Sequence, residues 1–139
     1  MRLAASLLCL LALAGCGGHA RSAEDVARAW SAALNRDDDE AAAKLFARGA
    51  RIIQEGDFTL DTRRDAVMWN AALPCGGTIT RVIRQSKTDV VVVFHLKERP
   101  RHACDGPGKD AAALFRVEHG KIVLWHQTAV PGESPGQVV

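Results

Sequence analysis

The chain has no tyrosine, so no phenol is present to donate a proton or to hold a ligand. It also lacks an excess of one charge: 18 Lys and Arg stand against 16 Asp and Glu, with the cations dispersed among the acids. That balance removes the electrostatic case for a nucleic-acid partner. A long apolar stretch is missing too. The longest, Leu3 to Ala14, is interrupted only by Ser6, and its roughly dozen residues fall well short of the roughly 20 that a membrane-spanning helix needs. There are no internal repeats, no Gly-rich phosphate loop and no nucleophile elbow. Cysteine is scarce, at four residues in 139.

What is there starts at the N-terminus. Met1-Arg2 gives a positive start, a short apolar run follows, and small residues close it, the layout of an export signal. Leu13-Ala14-Gly15-Cys16 resembles the lipobox of bacterial lipoproteins, in which the thiol takes diacylglycerol and the chain is cut just before it. The alternative is an ordinary secretory signal cut near Ala14, with Cys16 incidental. The first reading predicts a signal peptide over residues 1–15, a lipidated Cys16 with a short tether over 16–22, one domain over 23–130, and an unstructured tail over 131–139. Removing residues 1–15 from 139 leaves 124 and, with Arg2 gone, lowers the formal net charge from +2 to +1. That length suits one domain. One acyl chain holds a membrane only marginally; the lipoprotein resemblance implies two or three. The domain is then expected in the cell envelope, close to a membrane and facing the periplasm or the cell exterior. Cys9 leaves with the signal and Cys16 carries lipid, so Cys75 and Cys104 remain. In an oxidising compartment such a pair is expected to join as a disulfide; the alternative is two buried free thiols.

The front half reads as helical. Ser22-Ala23-Glu24-Asp25 has the form of a capping box, and Val26, Ala29, Trp30, Ala33 and Leu34 recur on one helix face. Asn35-Arg36-Asp37-Asp38 interrupts the pattern. Asp38 suits the N-cap of a second helix with Ala42, Leu45 and Phe46 on its inner face and Gly49 at its end. Arg51 to Glu55 and Phe58 to Leu60 are short strand candidates. Thr62 with Asp65 caps a third helix whose Ala66, Trp69, Asn70 and Leu73 share a face, and Pro74 stops it. The period then changes to that of strands. Thr78 to Gln85 and Val90 to Leu96 predict a hairpin turning near Lys87-Thr88, with the two cysteines near its open end. Ala111 to Glu118 and Lys121 to Thr128 predict another, turning at His119-Gly120. A regular register there faces Val117 with Ile122, Phe115 with Leu124 and Ala113 with His126 on the inner side. It leaves Leu114, Val123 and Trp125 on an outer surface suited to a partner.

Helices followed by a curled antiparallel sheet make this an α+β chain, and several segments carry a family resemblance. Val26-Ala27-Arg28-Ala29-Trp30 with Leu34, Ala43-Lys44-Leu45-Phe46-Ala47 with Arg51-Ile52-Ile53, and Phe115 through Trp125 around Gly120-Lys121-Ile122 resemble the nuclear transport factor 2-like, or SnoaL-like, superfamily. The resemblance spans residues 23–128. It implies a cystatin-like roll, with N-terminal helices packed on a strongly curved sheet around a conical pocket, and an outer sheet face that commonly pairs subunits. The superfamily includes isomerases, dehydratases, cyclases and many members with no chemistry, so the fold does not choose among them. Its enzymes use pocket acids, often Asp helped by Tyr. Here Arg48-Gly49-Ala50-Arg51 and Val130 stand where such Asp residues often occur.

The ligand pocket is therefore expected among Trp30, Trp69, Phe115, Leu124 and His126. His126 is the candidate general base, with His95 a second; for both, a structural role at a pocket rim or in the core is the competing reading. Asn70 is either a polar handle on a ligand or an exposed helix-edge residue. Arg99-Pro100-Arg101-His102 is a basic loop able to touch anionic head groups, or simply solvated. His102, Cys104 and Asp105 make a poor metal site once Cys104 is oxidised, so neither a metal nor a cofactor is expected. The leading reading is a non-enzymatic envelope lipoprotein that binds a small apolar molecule or, through Leu114, Val123 and Trp125, a protein partner such as a second copy. The alternative is a small acid–base enzyme of the isomerase, dehydratase or cyclase type.

Overall fold

The computed structural model describes residues 18–133, so the expected signal peptide and Cys16 lie outside the described residues. Three helices, α1 (Ala23–Asn35), α2 (Asp39–Ala43) and α3 (Arg63–Ala72), pack on one face of a six-stranded sheet. The strands are β1 (Phe46–Ile53), β2 (Asp57–Leu60), β3 (Gly76–Arg84), β4 (Asp89–Lys97), β5 (Asp110–Glu118) and β6 (Lys121–Thr128). Their order across the sheet is β2-β1-β6-β5-β4-β3. All neighbours are antiparallel except β1 and β6, which run parallel, Phe46 beside Ile122 and Ile53 beside His126. The fold is α+β, and the sheet is open rather than closed into a barrel.

Local chemistry starts the helices as the sequence predicts. Ser22 and Asp25 exchange capping bonds at α1, Thr62 and Asp65 do so at α3, and the Asp38 side chain accepts from Ala41 N at α2. Each cap satisfies backbone donors that a helix start leaves orphaned. α2 is shorter than the pattern suggests. It ends at Ala43, and Phe46 already belongs to β1. Gly49 is therefore not a helix terminator. It lies inside β1 at φ +76°, where the register against β6 shifts. Similar irregularities fall between Ile79 and Arg81 in β3 and at Val123 in β6, opposite Arg116 and Val117. Bulges bend and twist strands, and three of them in one sheet curl it around the helices.

The bulge in the last hairpin corrects the expected register. His119 (φ 51°) and Gly120 (φ 73°) form the turn, and Val117 faces Ile122 as predicted. Val123 then has no partner across the ladder, so Arg116 faces Leu124, Phe115 faces Trp125 and Leu114 faces His126. A one-residue slip sends each following side chain to the other face. Trp125 enters the core, while Leu124 and His126 join Leu114 on the outer side. The physical reason is burial: the bulge places an indole rather than an imidazole among apolar groups, which favours the larger apolar area.

The core lies between helices and sheet, where Val26, Ile52, Val90, Val92, Phe115 and Ile122 are fully buried. A smaller cluster of Val91, Val93 and Ala112 sits on the opposite sheet face, covered in part by Ile83, Leu114 and Val130. Pro131–Glu133, expected in the tail, follow Val130 in a turn, and Arg81 Nη2 donates to Pro131 O at 2.6 Å.

Candidate ligand-binding site

Six of the seven aromatic residues meet in one cluster under the curled sheet. Trp30 from α1 is its hub, with ring centroids 5.3 Å from Phe115, 6.0 Å from Phe94, 6.1 Å from Trp125 and 6.4 Å from Trp69. Trp69 meets Trp125 edge-on at 5.1 Å and Phe46 at 5.5 Å. Asn70 fixes this arrangement. Its Oδ1 accepts from Trp30 Nε1 at 2.8 Å and its Nδ2 donates to Ala66 O at 2.8 Å, so both ends of a fully buried amide are satisfied. Neither expectation for Asn70 holds: it is no helix-edge residue, and its polar atoms are committed to the protein.

Above the cluster lies a cavity of about 520 Å³, within the usual size range of small-molecule sites. Trp30, Trp69, Phe94 and Trp125 line its floor, and Gln54, Glu55, Phe58, Asp105 and Gln127 are among the residues toward the strand ends. Trp30 and Trp69 thus stand where the sequence placed them. Phe115 is fully buried behind that wall rather than on it. Trp125, expected outside, is a wall residue, and Leu124 and His126, expected inside, are not. Trp125 Nε1 is buried and finds no acceptor among the described residues. Among the described residues no Lys, Arg or His lines the cavity, while Glu55 and Asp105 do, both exposed.

The two candidate histidines belong to the outer sheet face. His95 Nδ1 lies 2.9 Å from Asp110 Oδ1, directly across the β4–β5 ladder, where both side chains are open to water. His126 is near Asp57, whose carboxyl is held below its ordinary range chiefly by a hydrogen bond from Arg51, with His126 a minor contributor. Neither histidine reaches the cavity. Of the expected outer patch, Leu114 is placed as predicted, half-buried on that face, and Val123 is the extra residue of the bulge.

The basic loop after β4 divides: Pro100 and Arg101 are exposed to solvent, whereas Arg99 is buried. The Arg99 guanidinium is buried, donating to Asp37 Oδ1 at 2.6 Å, Asp39 Oδ1 at 2.7 Å, and the carbonyls of Asn70 and Leu73. Arg101 N donates to Asp37 Oδ2 at 2.6 Å, and the His102 ring bridges Asp37 Oδ1 and Ala71 O. Burial alone pushes the Asp37 carboxyl up, but the Arg101 amide and the Arg99 guanidinium outweigh it and hold Asp37 below its ordinary range. The network ties the α1–α2 turn and the end of α3 to the loop that carries Cys104. Sequence reading missed it because Asp37 and Arg99 lie 62 residues apart. Cys75 and Cys104 form a disulfide at the cavity end of β3. With both sulfurs bonded to each other, the Cys75–Cys104–Asp105 grouping offers no thiolate to a metal.

No protein-family model and no curated protein matches the chain. Solved structures do. A nuclear transport factor 2-like protein of unknown function from Cytophaga hutchinsonii aligns at 16% identity and TM-score 0.63, over 79% of this chain and 91% of that one. An uncharacterised cystatin-fold protein from Novosphingobium aromaticivorans aligns at 18% identity and TM-score 0.61, over 78% and 99%. A hypothetical protein with a ketosteroid isomerase-like fold from Catenulispora acidiphila, in complex with trimethylamine, aligns at 19% identity and TM-score 0.57, over 77% and 86%.

Proposed function

With the nuclear transport factor 2-like fold as premise, we propose that this chain is a non-catalytic, envelope-anchored lipoprotein that binds a small apolar molecule in the cavity under its sheet. The observation that carries this reading is the composition of the wall. Three indoles and a phenyl ring form the floor, the lining holds no cation among the described residues, and the candidate bases His95 and His126 lie on the opposite side of the sheet. Proton transfer needs a titratable group within hydrogen-bond reach of the reacting atom, and the lining acids Glu55 and Asp105 are solvent-exposed. Their charge, unopposed in the lining, disfavours an anionic ligand such as a free fatty acid. A neutral or amine-bearing molecule fits better. The trimethylamine held by the Catenulispora acidiphila protein is consistent with a small amine in this fold.

Anchoring through Cys16 belongs to the same proposal and bears on how the ligand arrives. Arg21 N lies 3.8 Å from where a Cβ on Gly120 would sit, so the tether leaves beside the β5–β6 turn. The cavity opens among Gln54, Glu55 and Gln127, at the other ends of β1 and β6. Strands of eight residues span roughly 25 Å, so the opening faces away from the anchored pole. Two measurements test the reading. Radiolabelled palmitate should enter the wild-type chain and not Cys16→Ser. Native mass spectrometry of the chain extracted from its own membranes should show a bound small molecule that is lost in Trp69→Ala; a chain that is always empty, and whose tryptophan fluorescence no apolar probe alters, would refute ligand binding.

A second reading, pairing with another copy through the outer sheet face, is favoured by half-buried Leu114 and Leu124 on that face, Leu114 lying opposite His126 and diagonal to Leu124. Light scattering of wild type and Leu124→Glu decides it: a dimer that the charge abolishes supports pairing, and a monomeric wild type ends it.

A further inference from the structure

A second hollow of about 450 Å³ lies between α2, the start of β1, the start of α3 and the β5–β6 turn. Its lining is basic: Lys44, Arg48, Arg63 and Lys121, with Asp61 the one acid among the described residues. The residues come from three separate stretches of chain, which is why no basic run appears in the sequence. Their partners matter more than their number. Arg48 Nε donates to the Asp61 backbone carbonyl at 3.1 Å, and Lys121 Nζ donates to the Lys44 carbonyl. Backbone carbonyls fix the position of a cation without cancelling its charge. Among the described residues only Arg63 of these four meets a carboxylate, Glu40 at 3.0 Å, and that pair is exposed on both sides, where such pairs contribute little. Lys44 makes no ion pair among the described residues. The floor is apolar, formed by Ala43, Phe46, Ala47 and Ala66.

We propose that this hollow is a binding site for a phosphate-bearing anion. Position favours the phosphate of an anionic lipid head group as the source. Lys121 directly follows the turn against which Arg21 lies, so the hollow sits on the pole from which the tether emerges. A tether of about five residues holds that pole near the bilayer, where each basic residue close to an anionic surface contributes about 1 kcal/mol. The apolar floor suits the first carbons of a lipid rather than a bare ion. The head group would then orient the domain, turning a flexible anchor into a fixed stance with the ligand cavity outward.

The test uses the full chain in neutral maltoside detergent, titrated calorimetrically at low salt with dihexanoyl phosphatidylglycerol and, separately, with inorganic phosphate. Saturable binding of the lipid, weakened at least about tenfold in Lys44→Gln/Arg48→Gln and by added salt, is the expected result. Tighter binding of the lipid than of phosphate identifies the head group as the source; equal binding identifies the free anion. Near-ultraviolet circular dichroism of the variant, reporting the tryptophan cluster, separates lost binding from lost folding. Two results overturn the proposal: no binding of either probe to wild type, or unchanged binding in a folded double variant.

Discussion

Asp37 adopts a left-handed backbone, φ 56°, just past the end of α1. Its N–H returns to Leu34 O and that of Asp38 to Ala33 O, the paired bonds of a Schellman motif, in which glycine usually takes this position. An aspartate is tolerated because its carboxylate is what Arg99, Arg101 and His102 converge on. Losing the Arg99 cation strands a buried charge, so Arg99→Met should lower the denaturation midpoint far more than Arg51→Met, which opens only the exposed Arg51–Asp57 pair. Acid should act on the same group. Asp37 is held below its ordinary range, as are Asp65, through the Thr62 hydroxyl, and Asp89, through the Arg116 guanidinium. Their stabilisation is complete above the unfolded carboxylate pKa and is lost as pH falls through the lower native values. Urea midpoints should therefore hold level near neutrality and decline below about pH 4; a midpoint independent of pH down to 2 would contradict these contacts. Asn70→Ala, which orphans the Trp30 N–H, should cost about 2 kcal/mol and broaden the tryptophan emission.

Among the elements, the start of β3 is the most constrained. Asn35 at the end of α1 uses its side-chain amide as a strand would, accepting from Gly77 N at 2.8 Å and donating to Gly77 O at 2.9 Å. A Cβ at Gly76 would run into Asn35 Oδ1, and one at Gly77 would come within 2.9 Å of the Phe94 Cβ. Gly76→Ala should destabilise by about 1–3 kcal/mol, read from thermal melts, with Asn35→Ala producing a related loss. The adjacent disulfide closes a separation of 29 residues; its removal in Cys75→Ser/Cys104→Ser should cost about 3–4 kcal/mol. Elements of this kind divide sharply in how readable they were. Helix starts and the His119-Gly120 turn depend on neighbouring residues, so Ser22, Asp38, Thr62 and Gly120 announced them. The bulge at Val123 depends on which side chain the distant core prefers, and no local signal marks it. That single residue carried the candidate site with it, exchanging Trp125 for His126. Gly49 misled for the same reason, since a positive φ serves a strand irregularity as well as a helix end.

On the scale of the whole molecule, β6 is the last strand among the described residues and lies in the interior of the sheet, between β1 and β5. Ile122 N donates to Leu45 O at 2.8 Å, joining residues from opposite halves of the sequence. Until residues 121–128 arrive, β1 and β2 have no neighbour connecting them to β3–β5, and Trp125 is missing from the aromatic cluster. The centre of the fold therefore cannot assemble piecemeal from the residues that precede β6. Such long-range closure is slow, and it makes residues 121–128 the keystone whose docking joins the two halves of the sheet and completes the aromatic cluster at once.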